Sequence, residues 1–417
     1  MIYQIIQDMK RKLFLRALLI ALVSIAGLAT SNVITAAEKQ EKKAKYIFLF
    51  IGDGMGSTHV AAAESYLSYK AGKLGGEMLT MSTFPAYGYA TTFSANKQIT
   101  CSSASGTAIA CGQKTKNGMV GMNKDSVAIK SIAYELKENG YKIGILSSVP
   151  INHATPAAFY AHNVRRGAYY EISQEIATSG FEFFAGAGFL EYKGKDGNLP
   201  ATDKLIEKKG YSVSYGLEEY NKSKGGKVVL CQPSNKKESA DNYVSDSKAK
   251  EDMTLAQMLE TAIGHLGDEK PFFIMCEGGS IDWAAHANRT MAMINEIFEF
   301  DKAIESALEF YNQHPDETLI VVTADHETGG LTLGCSSSEY KGKSLKWKIL
   351  EEQWEESGHK NTLSKEENKK LNDKCGIGWT TTSHTGGPVP VYSIGVGSER
   401  FIGRMDNTQI KSRILGE

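Results

Sequence analysis

The chain has 417 residues, in which 47 Lys and Arg are set against 48 Asp and Glu for a formal net charge of −1. That balance offers no basic surface for nucleic acid. The length suits one large domain, or a domain carrying insertions, and past residue 37 no apolar run reaches the ~20 residues needed to span a bilayer.

The chain opens with Lys10, Arg11, Lys12 and Arg16, an apolar run from Ala17 to about Ala29, and small residues at Thr35, Ala36 and Ala37. This is the layout of a secretory signal peptide, with cleavage after Ala37. An uncleaved membrane anchor is the alternative, against which the run is shorter than a membrane span. No Cys stands at its end to take a lipid, and Met9 is an alternative start. Residues 1–37 are set aside as the signal peptide, and 38–417 are expected to form a secreted or periplasmic domain. The leader holds four basic residues and one acidic residue, so the mature chain keeps 43 Lys and Arg against 47 Asp and Glu, a net charge of −4.

Short apolar runs then alternate with amphipathic stretches. Residues 46–51 (YIFLFI) read as a buried strand, 126–138 have helical spacing that stops at Gly140, and 142–147 (KIGILS) form the next strand. Helical patterns at 253–266 and 290–311 flank the apolar run 272–276 (FFIMC), and 319–323 (LIVVT) and 391–396 (VYSIGV) complete the set. Continuous apolar strands separated by helices predict a sheet buried on both faces: an α/β, doubly wound fold with a largely parallel central sheet. Two stretches near 218–250 and 336–376, rich in Lys, Ser, Asn and Glu, break this rhythm and are expected to be surface insertions. Of the six cysteines, Cys335 and Cys375 bracket the second stretch and could staple it. Cys276 reads as a buried core thiol, Cys101 and Cys111 bracket a helix that would hold them apart, and Cys231 has no evident partner, so at most one or two bridges are expected.

The polar residues fall where such a sheet binds ligands, beyond the carboxyl ends of its strands. Asp53 closely follows the first strand, Glu277 directly follows FFIMC, and Asp325-His326 follow LIVVT with only Ala324 between. Asp282 and His286, four apart, would share one helix face and could grip one metal. An Asp-His pair suits zinc, Asp325-His326 is a second such pair, and His384 is a further candidate ligand. Alone, an Asp-x-x-x-His pair is more often a surface ion pair, and His384 could be an ordinary loop residue. Together with Asp53 and Glu277 they supply ligands enough for three cations. The run Thr100-Cys101-Ser102-Ser103-Ala104-Ser105-Gly106-Thr107-Ala108 leads into a small-residue helix. Ser102 there is either a helix N-cap or a nucleophile at an anion-favouring helix start, and a serine hydroxyl needs a base or a metal to act.

The ordered set Asp-Gly-Met-Gly, the Ser-containing helix start, His-Ala-Thr-Pro, Glu-Gly-x-Ser-Ile-Asp-x-x-x-His, Thr-Ala-Asp-His and His-Thr-Gly resembles the alkaline phosphatases, motif by motif from Asp53 to His384. The resemblance implies hydrolysis of phosphate monoesters through a phosphoserine on Ser102, with two zinc ions and one magnesium ion. It assigns Asp282, His286 and His384 to the first zinc. Asp325 and His326, with Asp53 bridging, go to the second, and Asp53, Thr155 and Glu277 to magnesium. Arg166 matches the arginine that clasps phosphate oxygens, a task suited to a guanidinium, although Arg165 is adjacent. Zinc depresses the pKa of a bound water, so activity is expected to persist to alkaline pH. A homodimer is a family expectation.

Three neighbours depart from the enteric bacterial members. Cys101 stands where those carry Asp before the nucleophile. His153 stands where they carry Asp, as in animal members, and Trp283 follows Asp282 where Lys or His is usual. An indole in place of a cation is expected to loosen product phosphate, and His153 to admit a metal other than magnesium. Cys101 is expected either only to pack or to be open to oxidation and thiol reagents. A phosphodiesterase or nucleotide pyrophosphatase of the same superfamily is the alternative function, but Thr155, Glu277 and Arg166 favour the monoesterase. A silent metal- and phosphate-binding protein is a second alternative, against which stands the retention of Ser102 and every ligand.

Overall fold

The five apolar runs become strands because helices cover both of their faces, and the computed structural model shows them largely buried. It describes residues 43–222, 225–236, 251–337, 340, 342–360 and 362–417; the expected signal peptide and all of 237–250 lie outside the described residues. In chain order the strands are β1 (Tyr46–Gly52), β2 (Ala86–Thr91), β3 (Lys142–Ser147), β4 (Phe183–Gly186), β5 (Tyr211–Tyr215), β6 (Lys227–Cys231), β7 (Phe272–Gly278), β8 (Thr318–Thr323), β9 (Glu327–Thr328), β10 (Leu331–Leu333), β11 (Ile377–Trp379), β12 (His384–Thr385), β13 (Val389–Gly395) and β14 (Gly403–Asp406). Ten of them form one sheet in the order β14-β2-β13-β8-β1-β7-β3-β4-β6-β5. Only β13 runs against its neighbours β8 and β2; the other pairs are parallel. The largely parallel α/β sheet is therefore present.

The centre of the sheet sets up the site. β1 lies between β7 and β8 with Ile51 in register with Glu277 on one side and Thr323 on the other. Ser147, the last residue of β3, is level with Glu277. The carboxyl ends of four adjacent strands are thus flush, and whatever follows them shares one edge.

Local sequence explains where the structure departs from the reading. The helix expected from residue 126 begins at Ile132 (Ile132–Glu138), because Ser131 caps it by accepting from Tyr134 N, while Ser126 takes a left-handed φ of 63°. Strands β2, β4, β5, β6 and β14 were not marked by long apolar runs; β2 (AYGYAT) buries only alternate residues. The 336–376 stretch contains two helices, Trp347–Glu356 and Lys365–Cys375. The first buries Trp347, Leu350 and Trp354 in the core, and the second opens on a Ser364/Glu367 capping box. All six thiols are free, so the staple between Cys335 and Cys375 is not formed, and Cys276 is a buried core thiol as expected. Among the described residues no helix is long and apolar enough to cross a membrane.

Candidate active site

The turn after β1 brings Asp53 to the edge, where its N–H donates to Gly278 O at 3.2 Å. Gly54 follows at φ 73°, and a Cβ there would lie 2.9 Å from both Asp282 Oδ1 and Thr328 Oγ1, so only glycine lets the turn close over the cluster. The Gly54 N–H donates to Asp325 Oδ1 at 3.1 Å, as does the His326 N–H at 2.9 Å. The helix Ser280–His286 places Asp282 and His286 on one face, with His286 Nε2 3.3 Å from Asp282 Oδ2. His384 comes in on β12, which pairs with β9 directly after His326, and the rings of His326 and His384 stack at 3.6 Å.

The tautomers of these histidines follow from their outer partners. His286 Nδ1 sits 2.7 Å from Thr382 O, and His384 Nδ1 sits 2.9 Å from Thr100 O; a carbonyl can only accept, so both Nδ1 atoms carry hydrogen. Their Nε2 atoms then face one another at 3.1 Å beside the Asp282 carboxylate. Two lone pairs at that separation require a proton or a cation between them. Thr328 adds the same control to His326. Its hydroxyl donates to Asp282 Oδ1 at 2.5 Å and so accepts from His326 Nδ1 at 3.2 Å. His326 Nε2 is left directed at Asp53 Oδ1, Asp325 Oδ2 and Ser102 Oγ, at 3.4, 3.2 and 3.2 Å.

Among the described residues three groups of donors each lie within 4.8 Å of one another: Asp282, His326 and His384; Asp53, Asp325 and His326; and Asp53, His153 and Glu277. Buried Asp53 Oδ1, Asp325 Oδ2, Glu277 Oε1 and His153 Nδ1 have no hydrogen-bond partner. Unpartnered carboxylate oxygens facing bare imidazole nitrogens fit metal ions, with borderline nitrogen and oxygen donors in the first two groups. The third is mostly oxygen: Thr155 Oγ1 lies 3.5 Å from Asp53 Oδ2, and Ser147 Oγ donates to Glu277 Oε2.

Ser102 opens the helix Ser102–Cys111, every residue of which is buried. A Cβ on Gly106 would lie 3.3 Å from Thr155 Cα, so the small residues let this helix pack on the segment carrying Thr155. Arg166 faces the site: its Nη2 donates to His153 Nε2 at 3.2 Å, while Arg165 is exposed. Trp283 packs edge-on to His153 at 5.7 Å. Cys101 Sγ accepts from Gly118 N at 3.2 Å and contacts Ser103 Oγ at 3.2 Å. Burial works against a thiolate there, but hydrogen bonds from Ser103, Ala104 and Gly118 and the Arg166 charge hold the thiol below its usual range.

The sequence profile described as Alkaline phosphatase matches residues 44–182 and 237–415. The chain belongs to the alkaline phosphatase family. It is 31% identical to Alkaline phosphatase 4 of Bacillus subtilis (strain 168), covering 96% of this chain and 95% of that protein. It is 26% identical to Streptomycin-6-phosphate phosphatase of Streptomyces griseus, over 90% and 91% of the two. Among solved structures, the alkaline phosphatase from the Antarctic bacterium TAB5 superimposes with a TM-score of 0.73 at 30% identity, covering 90% of this chain and 98% of that one. A His 135 Asp mutant of that enzyme has Mg bound in its M3 site. The chain is thus a phosphatase of a metal-dependent family.

In this alkaline phosphatase fold the electrostatics of the protein groups call for cations. Burial raises Asp53 well above the ordinary carboxylate range, helped by the charges of Asp325, Asp282 and Glu277. Burial and neighbouring carboxylates lift Asp325 to about 7 and Glu277 to about 8. Asp282 goes the other way: burial opposes its charge, but the hydrogen bond from His286 and three histidine charges hold it low. Its hydrogen bond raises His286, whereas burial lowers His326, His384 and, to about 3, His153. Thr328, Ser147 and the carbonyls of Thr100 and Thr382 were missed by the sequence reading. Only Thr328 had a signal, since two residues past His326 on a strand returns to the same face.

Proposed function

We propose that this chain is a secreted or periplasmic, homodimeric phosphomonoesterase that forms a phosphoserine on Ser102 with two zinc ions and one magnesium ion. The observation that carries the reading is the pair of Nε2 atoms of His286 and His384, 3.1 Å apart beside Asp282 with both tautomers fixed from outside. Asp282, His286 and His384 would hold one zinc, and Asp325, His326 and Asp53 the other. Asp53, Thr155 and Glu277 would hold magnesium, with His153 beside that set. When bound, these ions supply the positive charge that ionises the serine and the water and receives the leaving oxygen.

The chain's own residues supply placement and charge. Ser102, 1% exposed, stands at a helix N-terminus, where backbone N–H groups and the dipole favour the phosphate anion. Its Oγ forms a bond to phosphorus as the bond to the alcohol oxygen breaks, and the alcohol leaves with a proton. Water then attacks phosphorus from the vacated side, the bond to Oγ breaks, and phosphate departs. Arg166 offers paired donors to the non-bridging oxygens through both halves, while His153 fixes one edge of its guanidinium. The alignment with monoesterases over nearly the whole chain supports this reading over the diesterase alternative.

The test compares p-nitrophenyl phosphate with bis-p-nitrophenyl phosphate, before and after EDTA, with zinc and magnesium restored. Monoester cleavage that EDTA abolishes and both metals restore is expected. Preferential diester cleavage, or no cleavage with metals bound, would refute the reading.

A further inference from the structure

Glu327 follows a proposed zinc ligand yet belongs to none of the three donor groups, and the residue is 8% exposed. It sits on β9, whose pairing with β12 is only two residues long, Thr328 with His384 and Glu327 with Thr385. So short a ladder gives little hold on its own, although it fixes the separation of His326 and His384, one imidazole from each proposed zinc group. The side chains supply the rest. Glu327 Oε2 accepts from Thr385 Oγ1, and Oε1 accepts from Gly330 N at 2.9 Å and, more weakly, from Leu331 N at 3.4 Å. Thr385 Oγ1 in turn accepts from Gly387 N at 3.3 Å.

The same side chain reaches a third segment. Glu327 Cγ lies 2.3 Å from where a Cβ on Gly56 would stand, so it presses on the turn that carries Asp53. Behind it, fully buried His59 has Nδ1 3.8 Å from Glu327 Oε1 and packs edge-on against Trp379 at 5.7 Å. One side chain thus touches the 53–56 turn, β9 and β12 while its oxygens are saturated by protein donors.

We propose that Glu327 and the Thr385 hydroxyl are a positioning pair that locks β9 to β12 and so holds His326 and His384 at the spacing the two zinc ions need. The inference rests on the metal assignment above. Outer partners of this kind typically change metal affinity or activity by about 10–100-fold when removed.

The test uses the full chain loaded with zinc and magnesium, with Thr385→Val, which keeps the shape and deletes the donor, and Thr385→Ser, which restores it. Zinc release to a chromogenic chelator is the primary readout, with kcat and KM on p-nitrophenyl phosphate as the second. Thr385→Val is expected to release zinc about 10–100-fold faster, with a matching fall in kcat and little change in KM, and Thr385→Ser to stay near wild type. Glu327→Gln, which keeps the volume, is expected to release zinc faster as well, and provides the test should Thr385→Val not fold. Wild-type zinc retention in Thr385→Val or Glu327→Gln would overturn the proposal, as would an equal loss in Thr385→Ser. A wild-type chain that binds zinc but turns nothing over refutes the catalytic reading alone, because the release rates still compare the variants.

Discussion

Glu277 makes the metal-free protein sensitive to pH in a direction its zinc- and magnesium-loaded form should not share. Its pKa is raised in the fold from 4.5 to about 8, by burial first and then by the charges of Asp325 and Asp282. The folded state therefore binds this proton more tightly than the unfolded chain. Its contribution is fully present below about pH 4.5 and lost as pH rises to about 8. A rise from 4.5 to about 8 corresponds to about 5 kcal/mol at 1.36 kcal/mol per pH unit. For the unit Lys43–Glu417, an unfolding entropy of ~2.1 cal/mol/K per residue gives ~0.8 kcal/mol/K, so the loss lowers the melting temperature by about 6 °C. His326 and His384, whose pKa values burial lowers, act in the opposite sense below about pH 6.5. The diagnostic is therefore the difference between wild type and Glu277→Gln, both stripped with EDTA and melted by calorimetry from pH 5 to 9. The wild type should lose stability relative to the variant across that range, and metal should remove most of the slope. Parallel curves for the two metal-free proteins would refute the charge argument.

Replacing Ser102 with Ala should cut turnover by at least about 10³-fold while zinc content by elemental analysis stays unchanged, because the proposed mechanism uses Ser102 as the nucleophile rather than as a principal ligand. Trp283→Lys puts an ammonium near the phosphate that Arg166 is proposed to clasp, and should tighten phosphate inhibition about 10-fold, measured as Ki; an unchanged Ki would show that the indole does not govern product release. His153→Asp replaces an imidazole with a carboxylate beside Asp53 and Glu277, and should shift third-site occupancy toward magnesium in competition dialysis against zinc. Among the six free thiols, Cys101 should react first with iodoacetamide near pH 8, and phosphate should slow the reaction, as peptide mapping by mass spectrometry would report.

What could be seen in the sequence, and what could not, divides along a physical line. Buried parallel strands need apolar residues at every position, so β1, β3, β7 and β8 stood out, and the polar residues just past their ends marked the sheet edge. Asp282 and His286 were legible because helical spacing alone puts them on one face. β2 escaped notice because one of its faces is exposed, and β4 because four residues carry too little pattern. The helix start at Ile132 turned on a single Ser131 hydroxyl.

The site itself was legible as donors but not as geometry. Which nitrogen of His286 and of His384 is free to bind metal is decided by Thr382 O and Thr100 O. A main-chain carbonyl has no residue-type signature, so no reading of side chains could have found them. Thr328 and Glu327 lie between these cases. Both follow His326 in an ordinary strand pattern, and their importance arises only because β12, nearly sixty residues later, returns to pair with them. The candidate ligands declare themselves because their chemistry is rare. The groups that aim them are common residues made specific by a two-residue ladder, and for that reason the aim, rather than the donor set, is where substitutions with intact ligands should still cost activity.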